Sequence, residues 1–250
     1  MSELVLRHDA GGVATLTLNR PEKLNALSME VFESLETHVD ALAREQRKVG
    51  LVILRGAGAH FSAGYDMQEV RDHVRARGKP HYESEIIAKV AALPQPVICA
   101  VQGQCSTGSM ELALAADLII AAESARFSDT YARWGLTPIW GLSLRLPQRV
   151  GTAKAAEMML TCRTYSGAQA EAIHLVNFCF PDERFEIELA SLARDIIANS
   201  WYANQLNKRT LRACDGLSLE EAHAMELFKN EGLAPDALQR VEAFFSRRRT

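Results

Sequence analysis

Short apolar runs, mostly β-branched or aliphatic, recur along this chain at residues 13–18, 51–54, 97–101, 118–121 and 176–180, with helical periodicity between them. Runs of that length suit strands buried on at least one face. Phe32, Leu35, Val39 and Leu42 recur at spacings of three and four behind Ser28, which is placed to cap a helix; the weaker stripe of Ile86, Val90 and Leu93 stops before Pro94. Strands alternating with helices predict an α/β domain. After about Asp182 the strand signal ends, and helices are expected at 183–199, behind a Ser218/Glu221 capping box, and at 234–246. So few helices have little core of their own and must pack on the α/β body or on another subunit. The expected division is an α/β core over 1–190 and a helical oligomerisation segment over 191–250.

At 250 residues the chain can bury a sizeable core without staples. Cys99, Cys105, Cys162, Cys179 and Cys214 are odd in number and lack metal-ligand spacing, so they read as reduced thiols, with neither a disulfide framework nor zinc. A net charge of −3 gives no general attraction for nucleic acid or an anionic membrane, although Arg247, Arg248 and Arg249 form a basic tip. No stretch approaches bilayer-spanning length and no leader pattern opens the chain. The sequence therefore reads as soluble and cytoplasmic.

Two stretches of small residues join apolar runs to helices: Gly58-Ala59-His60-Phe61-Ser62-Ala63-Gly64-Tyr65-Asp66-Met67 and Gly103-Gln104-Cys105-Ser106-Thr107-Gly108-Ser109-Met110-Glu111-Leu112. Such segments can aim backbone N–H groups into open space instead of into a ladder. Two converging N–H groups make an oxyanion hole, and a carboxylate beside one of them suits chemistry on a carbonyl that becomes an enolate. Gly108 stands where a helix should begin, so its N–H is a first-turn donor, and Glu111 shares that face. Glu111 is then either an acid–base beside a bound carbonyl or an acid complementing the helix dipole in solvent. In the first motif the glycine after a strand leaves the Tyr65 N–H to donate, unless the stretch is a routine tight turn.

With these motifs in place the chain resembles the enoyl-CoA hydratase/isomerase (crotonase) family, from about Leu4 to its end. The resemblance extends to Asn19-Arg20-Pro21-Glu22-Lys23-Leu24-Asn25-Ala26-Leu27, Ala116-Asp117, Phe127-Ser128-Asp129, Gly135-Leu136, Arg145-Leu146-Pro147 and Val150-Gly151, in that order. It implies the ClpP/crotonase spiral of ββα units with a C-terminal helical trimerisation segment, hence a homotrimer or dimer of trimers. It implies coenzyme A thioester substrates without a permanently bound cofactor or metal, and an oxyanion hole from the main-chain N–H groups of Tyr65 and Gly108. It also places the coenzyme along Lys23, Leu24 and Ala26, with Ala63, Asp66 and Met67 beside it. Phe244 and Arg247 match positions that contact the nucleotide, often across a subunit boundary, whereas Arg248 and Arg249 read as solvated.

Hydratases of this family use two glutamates, and Glu111 matches the one that activates water. The second falls on Tyr131, a poor acid–base near neutrality at an ordinary pKa of about 10, so two-glutamate catalysis is excluded. Asp129 either turns its carboxylate into the pocket or caps a local turn. Tyr131 can orient water, donate to the acyl group or fill space. Trp134 and Trp140 either narrow the acyl pocket or pack in the core. Thr107 and Ser109 flank Gly108 where many relatives have glycine, and His174 stands at a usual helix-ending glycine as a structural variation, not a metal site. The resulting expectation is hydration of a 2-enoyl-CoA with Glu111 as main acid–base. Isomerisation and malonyl-type decarboxylation, which need fewer acids, are its alternatives. A serine hydrolase built on Ser106 or Ser109 lacks the Gly-x-Ser-x-Gly elbow. A non-catalytic homologue binding coenzyme A or a partner is the remaining class, and no basic–aromatic stripe points it to RNA.

Overall fold

The computed structural model describes residues 3–76 and 81–247. β1 (Val5–Ala10) and β2 (Val13–Leu18) form an antiparallel hairpin that turns at Gly11 and Gly12, both at positive φ. β3 (Leu51–Gly56), β4 (Val97–Val101), β6 (Leu118–Ala122) and β9 (Phe178–Phe180) extend the sheet in parallel, in the order β1-β2-β3-β4-β6-β9. A second sheet has the order β5-β7-β8, from β5 (Gln104–Ser106), β7 (Arg126–Ser128) and β8 (Thr164–Ser166). Parallel neighbours need crossovers. These carry α1 (Met29–Arg44) between β2 and β3, α2 (Met67–Ala76) and α3 (His81–Ala92) between β3 and β4, and α4 (Gly108–Ala113) between β5 and β6. The architecture is mixed α/β with ββα alternation and C-terminal helices, as expected.

One face of the main sheet packs Leu16, Leu18, Val52, Leu54, Val97 and Cys99 into a core that includes Phe32, Leu35, Val39 and Leu42 of α1 and Ile86, Ile87 and Val90 of α3. Ser28 caps α1, as expected, by accepting from Val31 N. The other face presents Leu51, Ile53, Ile98, Ala100 and Ile120 to Phe185, Leu189 and Ala193 of α8 (Phe185–Ala198). Burial on both faces makes β3 and β4 read as unbroken apolar runs. α8 crosses residue 190, the expected end of the core, and covers the sheet.

α5 (Leu142–Val150), α6 (Thr152–Thr161) and α7 (Gly167–Ala172) follow the small sheet's strands or precede β9. His174 takes the left-handed conformation just after α7, at φ 61°. The tail continues as α9 (Trp201–Cys214), α10 (Leu219–Lys229) and α11 (Ala237–Arg247), with the Ser218/Glu221 capping box at the start of α10. α9 is seated by Trp201, whose ring lies so close to Gly12 and Gly50 that a Cβ on either would come within 2.5 Å and 2.4 Å of it. All five cysteines are free, and burial pushes the Cys99 and Cys105 thiols up. Among the described residues no helix is long and apolar enough to cross a membrane.

Candidate active site

The first motif leaves β3 and is bound to the 19–27 segment. Asn25 is buried, and its Nδ2 donates to the carbonyls of Ala57 and His60 while its Oδ1 accepts from Arg20 N. Ala63 N donates to Leu24 O at 2.9 Å, Leu27 N to Gly64 O at 2.8 Å and Asp66 N to Leu27 O at 2.7 Å. In this parallel bridge Leu27 uses the groups flanking Tyr65, so the Tyr65 N–H turns to the opposite side of the strand.

That side faces the second motif. Gly64, at φ 102°, lies where a Cβ would come 2.6 Å from Ser106 O and 2.7 Å from Thr107 Oγ1, so only glycine permits the approach. Phe61 N and Ser62 N donate to the carbonyls of Gln102 and Gln104, and Ser109 Oγ donates to Ser62 O at 2.8 Å while accepting from Ser106 N. Ser109 is thereby a buried strut, and Ser106 Oγ meets Ser128 Oγ at 3.1 Å, with no histidine in either arrangement.

Thr107 opens α4 at φ 49°, ψ −114°, a sparsely populated region for a β-branched residue that costs about 1–3 kcal/mol. Its carbonyl accepts from Met110 N and Glu111 N, so the Gly108 N–H precedes the first bond of the helix. α4 ends at Ala113. The Trp140 indole lies on Gly108, its Cζ3 2.4 Å from where a Cβ would stand. Tyr65 and Phe32 meet the indole edge-on, at ring-centre distances of 4.9 Å and 5.3 Å. Trp140 is buried in this aromatic group, whereas Trp134 is mostly exposed.

Glu111 has no solvent exposure, which rules out the solvated dipole-complementing acid. Oε1 accepts from Trp140 N at 2.9 Å and Leu142 N at 3.0 Å, and Oε2 accepts from the Tyr131 hydroxyl at 2.5 Å. Burial pushes the carboxyl up to about 7, outweighing these three donors. Burial and the adjacent Glu111 raise the Tyr131 phenol in turn. Asp129 is buried, its carboxyl is raised by burial, and its Oδ1 accepts from Tyr131 N at 2.9 Å, the bond of a local turn. The main-chain donors at 140 and 142 were not foreseen, because an N–H group carries no residue signature. The nearest signal was Gly141, which adopts φ 109° between them.

Lys23 ends a short 3-10 turn, Leu24 follows in the left-handed conformation, and both are exposed. With Ala26, Ala63 and Met67, the exposed first residue of α2, they share one rim joined by the bonds between Leu24, Leu27 and the 63–66 stretch. The Asp66 carboxylate is taken up by Gln68 N at 3.0 Å and by Arg20 at 3.3 Å. Phe244 lies half-exposed on α11 against Phe245. α11 is tied to the α8–α9 junction, where Arg240 donates to Ala198 O and Ser200 Oγ to Asp236, so one chain assembles the rim but holds Phe244 on a different element. The Arg247 side chain, with Arg248 and Arg249, lies outside the described residues.

Residues 8–239 match the model of the family described as enoyl-CoA hydratase/isomerase. The chain belongs to the enoyl-CoA hydratase/isomerase (crotonase) family. It is 36% identical to the probable enoyl-CoA hydratase EchA12 of Mycobacterium tuberculosis, over 88% of this chain and 81% of that protein. It is 30% identical to the 1,2-epoxyphenylacetyl-CoA isomerase of Escherichia coli, over 99% and 97%. The crystal structure of an enoyl-CoA hydratase from Bacillus anthracis matches with a TM-score of 0.89 at 30% identity, covering 98% of this chain and 96% of that one. This crotonase is accordingly an acyl-CoA-processing enzyme whose substrate is a coenzyme A thioester. The relatives' names divide between hydratase and isomerase.

Proposed function

We propose that this crotonase hydrates a 2-enoyl-CoA, with Glu111 as its main acid–base and the N–H groups of Tyr65 and Gly108 holding the thioester oxygen. The placement of Glu111 carries the reading: a fully buried carboxyl three residues past Gly108, brought by burial to about 7. A group in that range serves as base and acid near neutral pH. The close approach of Gly64 to Thr107 supports a shared hole, since it sets the strand carrying Tyr65 beside the start of α4. Fixed donors there stabilise the negative charge that develops on the thioester oxygen, and loss of one costs about 3 kcal/mol in the barrier.

In this scheme the Glu111 carboxylate takes a proton from water as the water oxygen bonds to C3 of the enoyl group. The C2–C3 π electrons move into the thioester enolate, whose oxygen rests on the two N–H groups. Protonated Glu111 then returns the proton to C2, giving the 3-hydroxyacyl ester with both elements of water on one face. Asp129, beside Tyr131, is the reserve acid, and the Tyr131 hydroxyl holds the Glu111 carboxyl. The coenzyme lies along Lys23, Leu24, Ala26, Ala63 and Met67, with Asp66 shaping that rim through Arg20. Phe244 and Arg247 reach the nucleotide from another copy in a homotrimer or dimer of trimers.

Double-bond isomerisation is the second reading, favoured by Tyr131 spending its hydroxyl on Glu111. A proton shift between carbons needs only one group that takes and returns a proton. Incubating wild type and Glu111→Gln with enoyl-, 3-hydroxyacyl- and methylmalonyl-CoA esters separates the cases. A mass gain of one water identifies hydration, a moved double bond at constant mass identifies isomerisation, and loss of carbon dioxide identifies decarboxylation. Equal rates in the two proteins would remove Glu111 from the mechanism.

A further inference from the structure

Glu111 and Asp129 lie at the site, but a third carboxyl group, that of Glu83, is equally shielded from solvent. It sits in the first turn of α3, where its Oε1 accepts from the Tyr65 hydroxyl at 2.7 Å and its Oε2 has no hydrogen-bond partner among the described residues. Burying a carboxyl with half its acceptors unmet is strongly unfavourable, and a leucine would suit the neighbouring Ile86 and Ile87 better. The same Tyr65 hydroxyl lies 3.0 Å from Glu69 Oε2, and both Glu69 oxygens accept from Met29 N at the start of α1. Tyr65 is therefore held at its tip by α2 and α3 and on its ring by Trp140. Trp140 in turn covers Gly108 and gives its main-chain N–H to Glu111. A continuous line of contacts runs from Glu83 through Tyr65 and Trp140 to Glu111.

We infer that Glu83 is a positioning residue, which through the Tyr65 hydroxyl fixes the ring that Trp140 packs against, and so sets both the direction of the Tyr65 N–H and the seat of Glu111. The inference rests on the proposed use of the Tyr65 and Gly108 N–H groups. Glu83 touches no reacting atom; its effect is transmitted by a side chain anchored at both ends. Displacements of about 1 Å at such a site cost up to a hundredfold in rate.

The test uses the full chain as wild type, Glu83→Leu, Glu83→Gln, Tyr65→Phe and the double variant Glu83→Leu/Tyr65→Phe. Each is titrated with a conjugated dienoyl-CoA ester, whose absorption moves to longer wavelength when its carbonyl is polarised, and assayed for kcat and KM on the ester that wild type turns over. Glu83→Leu should lose most of the spectral shift and about tenfold in kcat, with KM within about twofold. Glu83→Gln, whose amide oxygen still accepts from Tyr65, should keep most of both. Tyr65→Phe should lose as much as Glu83→Leu, and the double variant no more than either. A wild-type shift and kcat in folded Glu83→Leu, or losses that multiply in the double variant, would overturn the inference. If Glu83→Leu does not fold, Tyr65→Phe, which keeps the ring and removes the hydroxyl's links to both Glu83 and Glu69, is read beside Glu69→Gln: a loss in Tyr65→Phe that Glu69→Gln does not share supports the role of Glu83, and a wild-type Tyr65→Phe or an equal loss in Glu69→Gln overturns it. A wild type that binds the ester without any shift would defeat the oxyanion-hole reading, and the role of Glu83 would fall with it; a shift that every variant keeps defeats only the latter.

Discussion

Glu111 is held by three donors and still titrates near neutrality, because removing a carboxylate from water outweighs the bonds it gains. In the proposed hydration the ionised form begins the cycle, so kcat/KM should rise about tenfold per pH unit below an inflection near 7 and level off above it. The Tyr131 hydroxyl favours the ionised form, so Tyr131→Phe should move that inflection upward, by about one unit for a hydrogen bond worth about 1.5 kcal/mol. A pH–rate profile that does not move would remove Tyr131 from the control of Glu111. Stability follows with the opposite sign. The folded carboxyl titrates at about 7 and the unfolded one at 4.5, so between these values the folded chain binds the extra proton. Its contribution is fully present below 4.5, is lost as pH rises toward 7, and amounts to about 3 kcal/mol over the window. Glutamine in its place can accept from Trp140 and Leu142 with its oxygen and donate to Tyr131 with its nitrogen. Glu111→Gln should therefore be inactive yet melt higher than wild type above pH 7, by roughly 5–10 °C, with the gap closing toward pH 5. Melts across that range check it, and an advantage independent of pH would contradict it. The position of Glu111 was legible in its three-residue spacing from Gly108; its pKa was not, because it depends on main-chain donors and on an indole supplied thirty residues later.

The helix that carries Glu111 is short and begins on a strained threonine, so its direction depends on what packs against it. Trp140 lies on Gly108, and Tyr65 and Phe32 block the ring from moving away. Gly108→Ala should cost about 1–3 kcal/mol by overpacking and reduce activity with it. In a Trp140→Ala background the same change should cost almost nothing further, because the atom it strikes is gone. Additive losses in denaturant melts would show that Gly108 is constrained by something other than the indole. The elements themselves were unequally legible. β3, β4 and β6 read clearly because α1 and α3 bury one face and α8 the other, so β4 and β6 are apolar throughout and β3 is apolar as far as Arg55. β5, β7 and β8 have three residues each, too few to show a strand period. α9 gave no apolar stripe, since its buried positions are Leu206 and Lys208, the latter bonded to Gln95 O and paired with Asp117. Thr107 at positive φ runs against the preference of a β-branched residue, so its residue type did not announce it.

At the scale of the whole molecule the tail divides. α8 belongs to the sheet and Trp201 seats α9 on Gly12 and Gly50, but α10 buries none of its residues. Leu219 is 88% exposed, Phe228 and Leu233 76%, and Leu238, Val241 and Phe245 are also open to solvent. Apolar surface of that extent fits the proposed contact between chains better than a free surface. A homotrimer or dimer of trimers would cover it, and would also bring Phe244 and Arg247 of one copy to the coenzyme rim of the next. Sedimentation should therefore give a mass of three or six times the 27.6 kDa chain. Replacing Phe228 and Leu233 together by aspartate places charges in the proposed contact and should dissociate the assembly while far-UV circular dichroism stays unchanged. If the nucleotide is held across the boundary, the dissociated variant should bind coenzyme A esters at least tenfold more weakly, because it loses contacts that the rim of a single chain does not supply. Dissociation with unchanged affinity would place the whole coenzyme site within one chain and leave Phe244 a packing residue of α11.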